Sequence, residues 1–128
     1  MTEFVLDASA ILAFLNGEPG GERVRACLSS GACVSSVNLS EVASVLARIG
    51  MPVDIAQSIL SGLPFEVVDF DSFQAFSAAG LSPLTRPSGL SLGDRACLAL
   101  ARLRNAPALT TDRAWSDLNL GIKVEVIR

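Results

Sequence analysis

Glu3-Phe4-Val5-Leu6-Asp7-Ala8-Ser9-Ala10 is the stretch on which the fold of this 128-residue chain turns. A short apolar strand over Glu3 to Leu6 runs into an acid, and Ala8 to Leu15 then carries helical spacing. No glycine separates the two elements, so strand and helix share one junction with Asp7 in it. The helix stops at Asn16-Gly17-Glu18-Pro19-Gly20-Gly21, a run of turn formers.

Outward from that stretch the same alternation repeats. A helix over roughly 21–30 precedes a strand at Ala32-Cys33-Val34. Asn38 opens an Ala/Val/Leu-rich helix ending near Gly50, and Pro52 restarts another that ends near Gly62. Pro64 to Val68 reads as a strand, Asp71 opens a helix to about Leu81, and Ser82 to Gly89 reads as a loop around Pro83 and Pro87. Ser91 to Arg104 is a long helix with Ala96, Leu98, Ala99 and Leu103 on its inner surface. Pro107 to Thr110 is a strand, Asp112 opens a short helix, and Ile122 to Ile127 is the last strand. Strands alternating with helices predict crossover connections: one α/β domain over 1–128, with a central parallel sheet of about five strands and helices on both faces.

Composition narrows the chemistry. Half the residues are apolar and 18% are charged, which excludes disorder, and a mean hydropathy of +0.47 points to an apolar face meant for a partner. The chain has no histidine, which removes Ser-His-Asp and Cys-His catalysis and every His-ligated metal site. Cys27, Cys33 and Cys97 form no zinc spacing and read as buried free thiols of a cytoplasmic protein. Thr2 and Glu3 stand where a signal peptide needs positive charge, and no apolar run is long enough for a membrane span. Net charge is −3, unevenly spread. Residues 1–83 hold three arginines against nine acids, whereas residues 84–113 hold five arginines against two acids. Arg86, Arg95 and Arg113 of that basic segment are the expected phosphate contacts.

Sites in parallel sheets form at the carboxyl ends of strands, and four acids fall there. They are Asp7, Glu41 in Asn38-Leu39-Ser40-Glu41, Asp94 in Ser91-Leu92-Gly93-Asp94, and Asp112 after Thr110-Thr111. Capping accounts for each acid singly: Asn38-x-x-Glu41 and Ser91-x-x-Asp94 have the form of capping boxes, and Asp7 and Asp112 that of N-caps. Four acids converging on one sheet edge repel one another, however, and a cation is the natural reason to keep them there. Asp117 is a further candidate at the rim. Ser9, Asn38 and Thr110 are placed to orient carboxylates through hydrogen bonds. Ser9 as a nucleophile would have no base.

The ordered set Asp7-x-Ser9-Ala10, Asn38-x-x-Glu41, Leu92-Gly93-Asp94 with Ala96 and Ala99-Leu100-Ala101, and Thr110-x-Asp112 resembles a PIN-domain ribonuclease. It is most similar to the toxin half of a VapBC-type toxin–antitoxin pair. The likeness runs over essentially the whole chain. One departure is Trp115, three residues after the last motif, where the family usually has Phe. The resemblance implies a Mg²⁺- or Mn²⁺-dependent endoribonuclease with Asp7, Glu41, Asp94 and Asp112 as its acidic pocket. It also implies a VapB-like antitoxin and a homodimer as partners, besides the RNA.

Rival readings need other residues. A phosphoacceptor domain of the receiver kind wants two adjacent acids after the first strand and a lysine after the last, whereas one acid stands here and Lys123 starts the last strand instead of ending it. A Rossmann-like nucleotide binder wants a glycine-rich first turn. A non-catalytic α/β interaction module is left standing, because each acid is explained by capping. The helices over 38–62 carry Val42, Val45, Leu46, Ile49, Met51, Val53, Ile55, Ile59 and Leu60, more than one inward face can bury. The surplus predicts a groove for an antitoxin peptide.

Overall fold

Strand and helix follow one another almost without loops in a computed structural model that describes residues 4–128. Thr2 and Glu3, the latter read as the start of the first strand, lie outside the described residues. The elements are β1 (Phe4–Leu6), α1 (Ala8–Leu15), α2 (Gly21–Ser30), β2 (Ala32–Ser35), α3 (Ser36–Arg48) and α4 (Val53–Ser61). There follow β3 (Phe65–Val68), α5 (Ser72–Thr85), α6 (Leu92–Arg104), β4 (Ala108–Thr110) and β5 (Val124–Val126). Single 3₁₀ turns occupy Arg86–Ser88 and Arg113–Asp117.

All strand pairs are parallel, in the order β3-β2-β1-β4-β5. The first strand is therefore central, with Val5 opposite Cys33 on one side and Ala108 on the other. Alternation of side chains divides the core between two faces. Leu6, Val34 and Leu109 pack with α1 to α4, and Val5, Cys33 and Ala108 pack with α5, α6 and Trp115. The three cysteines are buried free thiols.

Several boundaries differ from the sequence reading, each for a visible reason. Helix α3 starts at Ser36 rather than Asn38, because Ser35 at the end of β2 accepts from the Val37 amide and caps it. Helix α5 runs past Leu81 to Thr85, through Pro83, where a loop was expected. Pro83 and Ala79, whose carbonyl loses its donor, are both exposed, while Leu81 and Thr85 are buried and hold the last turn on the core. Leu103, expected to face inward, is 47% exposed.

Candidate functional site

Strands β1 and β4 feed directly into helical turns capped by Asp7 and Asp112, and both capping carboxylates open onto one cleft. Asp7 ends β1 with its side chain turned back over α1: Oδ1 accepts from the Ala10 amide at 2.8 Å and from the Ser9 hydroxyl at 2.7 Å. It is 4% exposed. Burial pushes its carboxyl up to about 6. Hydrogen bonds from Thr110, Ser9 and Ala10 pull the other way, and the charge of Asp94 adds to the rise.

Ser9 and Thr110 lock the ends of β1 and β4 together. The Ser9 Oγ accepts from the Thr111 amide at 2.9 Å and lies 3.4 Å from Thr110 Oγ1, which accepts from the Asp112 amide at 3.1 Å. Asp112 then caps the short 3₁₀ turn through the Ala114 amide and is itself exposed. Trp115, fully buried, fastens that turn to the core.

Glu41 is not part of a capping box. Ser35 does the capping, so the side chain of buried Asn38 is free for another task. Its Nδ2 donates both to Glu41 Oε1 at 2.8 Å and to the Gly93 carbonyl at 2.9 Å, clamping α3 to α6. Gly93 is what lets the carboxylate lie there, since a Cβ on it would stand 2.5 Å from the Glu41 carboxyl carbon. Asp94, one residue on, does complete a capping box: its Oδ2 accepts from the Ser91 amide and its own amide donates to Ser91 Oγ. Capping and cleft-facing roles thus coexist in Asp7, Asp94 and Asp112.

The cleft measures about 980 Å³, and Asp7, Glu41, Asp94 and Asp112 all line it, with Ser9 among them. Asn38 and Thr110 stand behind the wall. Asp117 lies outside it, as do Arg86, Arg95 and Arg113. Arg95 donates to the Ala78 carbonyl and Arg113 to the Arg128 carbonyl. None of these three expected phosphate contacts therefore lines the cleft itself. The arginine that lines the cleft is Arg48, at the end of α3, and Phe70 and the serines of that helix line it too. Sequence reading passed over Arg48, Phe70 and the carbonyl of Gly93. Arg48 carried a usable signal, seven residues after Glu41 and so two turns along the same helix face.

The donor set fits a divalent cation with a preference for oxygen. The ion pairs among the described residues are Arg23–Glu125, Arg104–Glu66 and Arg128–Glu18, and none neutralises a cleft acid. Among the described residues no three such groups converge tightly enough to chelate an ion by themselves.

Solved structures of similar fold include the DNA-bound VapBC complex of Salmonella typhimurium, at 21% identity, a TM-score of 0.75, and 98% coverage of both chains. A sarcin–ricin-loop-cleaving VapC toxin of Mycobacterium tuberculosis matches at 19% identity and a TM-score of 0.73, over 89% of this chain and 93% of that one. FitAB bound to the IR36 DNA fragment matches at 22% identity and a TM-score of 0.67, over 95% and 93%. No curated protein matches the sequence significantly. The PIN domain family pattern spans residues 4–119, from the first residue of β1 past the 3₁₀ turn that Asp112 caps, and so takes in all four cleft acids. By that match the chain belongs to the PIN domain family.

Proposed function

We propose that this chain is a Mg²⁺- or Mn²⁺-dependent endoribonuclease, the toxin half of a VapBC-type pair, acting on unpaired RNA in the cytoplasm. The observation that carries the reading is that four carboxylates, none with a cationic partner among the described residues, line one cleft at the ends of β1 and β4 and along α3 and α6. Asp7 and Asp94 would hold the ion, with Glu41 and Asp112 reaching it directly or through water. A bound Mg²⁺ or Mn²⁺ supplies Lewis acidity at a phosphate oxygen and acidifies a water for in-line attack. The chain's own part is orientation. Ser9 and Thr110 fix the Asp7 carboxylate, and Asn38 fixes that of Glu41.

The test is incubation of purified protein with RNA, with and without excess EDTA. Cleavage should require added Mg²⁺ or Mn²⁺ and vanish in Asp7→Asn; cleavage that persists in EDTA would overturn the metal mechanism.

Partners are read from the surface. Ile49, Val53, Ile55 and Ile59 are 40–73% exposed along the end of α3 and α4, as the surplus of apolar residues predicts. Beside them, Leu39, Ala43, Leu60 and Phe65 line a groove of about 350 Å³. Solved neighbours are VapBC complexes, and an amphipathic antitoxin segment fits this groove. A second copy of the chain would cover the exposed face of α5, where Phe73 and Phe76 are 67% and 79% exposed.

A further inference from the structure

The cleft is too large for its acids. Six waters around an ion occupy about 180 Å³ at liquid density, less than a fifth of the roughly 980 Å³ present. What lines the remainder is not acidic. Ser36, Ser40, Ser44 and Arg48 recur every fourth residue along one face of α3, and Phe70 lines the same cleft. The Ser36 hydroxyl accepts from the Phe70 amide at 3.0 Å, which fixes the ring's backbone against the start of α3.

From these residues we infer that the α3 side of the cleft is a nucleotide subsite. An unpaired base stacks on Phe70, and Arg48 pairs with a phosphate adjacent to the one held at the carboxylates. The inference rests on the ribonuclease reading above and assigns the substrate's path within it. Geometry sets the direction: Arg48 stands about 10 Å along the helix from Glu41, too far to share its phosphate but within reach of a neighbouring one. Chemistry sets the ligand class. An aromatic face accepts any base once it is unstacked, and a guanidinium presents a fork to phosphate oxygens. Ser40 and Ser44, between the two ends, offer hydroxyls to ribose or phosphate oxygens. Arg48 has no ion-pair partner among the described residues and is exposed, so its charge is available.

The experiment measures binding of a short fluorescein-labelled oligouridylate by anisotropy across a salt series in Mg²⁺. Every protein carries Asp7→Asn so that the RNA survives. Arg48→Ala should weaken binding and flatten the log–log salt slope by about 0.7, while Arg48→Lys should keep most of the slope. Phe70→Leu should weaken binding about tenfold and Phe70→Trp should not, since packing alone would be served by either bulky residue. Duplex RNA should bind more weakly than the single strand and respond less to Phe70. Unchanged affinity and slope in Arg48→Ala and Phe70→Leu, with intact binding by the parent, would overturn the subsite while leaving the ribonuclease reading in place. A parent that binds no RNA, together with wild type that cleaves none, would overturn both.

Discussion

At the scale of single residues, the site is made of side chains that serve two purposes. Asp7 caps α1 through one oxygen and is buried with its carboxyl raised to about 6, against 3.8 when unfolded. A raised carboxyl pKa makes the native state bind the proton more tightly than the unfolded chain does. Stability therefore falls as pH climbs through the interval between those values, and the full cost is present above it. Asparagine caps as well but carries no charge. Asp7→Asn should accordingly stabilise the metal-free protein at pH 7.5 by up to about 3 kcal/mol, with little difference near pH 4. Urea melts at the two pH values check this, and equal gaps at both would contradict it. Gly93 supports a second prediction. Its missing Cβ makes room for Glu41, and the atoms in the way are the end of a flexible side chain. Gly93→Ala should leave the melting temperature unchanged or raise it, since Ala favours the helix by about 0.5–1 kcal/mol, while displacing Glu41 and lowering RNA hydrolysis at least about tenfold. Asp7, Glu41, Asp94 and Asp112 were legible in the sequence because strand ends followed by acids are local patterns. Gly93's role was not legible, because it depends on two helices meeting 52 residues apart in the chain.

Among the elements, α3 shows where local reading stopped. The Asn38-x-x-Glu41 spacing imitates a capping box, but Ser35 lies three residues earlier and captures the cap. Sequence periodicity could not separate the two, since both are good N-cap residues. What decided it was β2, whose last residue is fixed by its ladder to β3 opposite Val68. Likewise α5 continues through Pro83 because Leu81 and Thr85 are buried on either side of it, a tertiary reason that no propensity carries. The apolar surplus of α4 was legible, being a matter of counting faces. Replacing Ile55 and Ile59, 48% and 40% exposed, with glutamate should change stability by less than about 1 kcal/mol. If an amphipathic antitoxin helix covers them, the same pair should weaken its binding by at least about tenfold, read by calorimetry with the co-expressed partner. Wild-type affinity in that variant would exclude this face as the antitoxin site.

For the molecule as a whole, the order β3-β2-β1-β4-β5 leaves β4 between the central first strand and the last strand at the sheet's edge. The C-terminal strand is tied back by Arg23 to Glu125 and Arg128 to Glu18, both exposed pairs of small energetic worth. Closer packing matters more: Gly20 has φ +96°, and a Cβ there would lie 2.8 Å from the Ile127 carbonyl oxygen. Gly20→Ala should cost about 1–3 kcal/mol from backbone strain with a further penalty for the contact, measurable as a lower urea midpoint at unchanged slope. The strand order has a temporal consequence as well. A ribosome makes β1 about a hundred residues ahead of β4, yet the hydroxyl network around Asp7 needs Thr110 and Thr111, and β4 in turn pairs with β5. Synthesis runs at about 5–20 residues per second, so for several seconds the nascent chain holds Asp7 without its neighbours. The Asp7 side of the cleft can therefore form only once β4 exists, more than a hundred residues after the acid that its threonines orient.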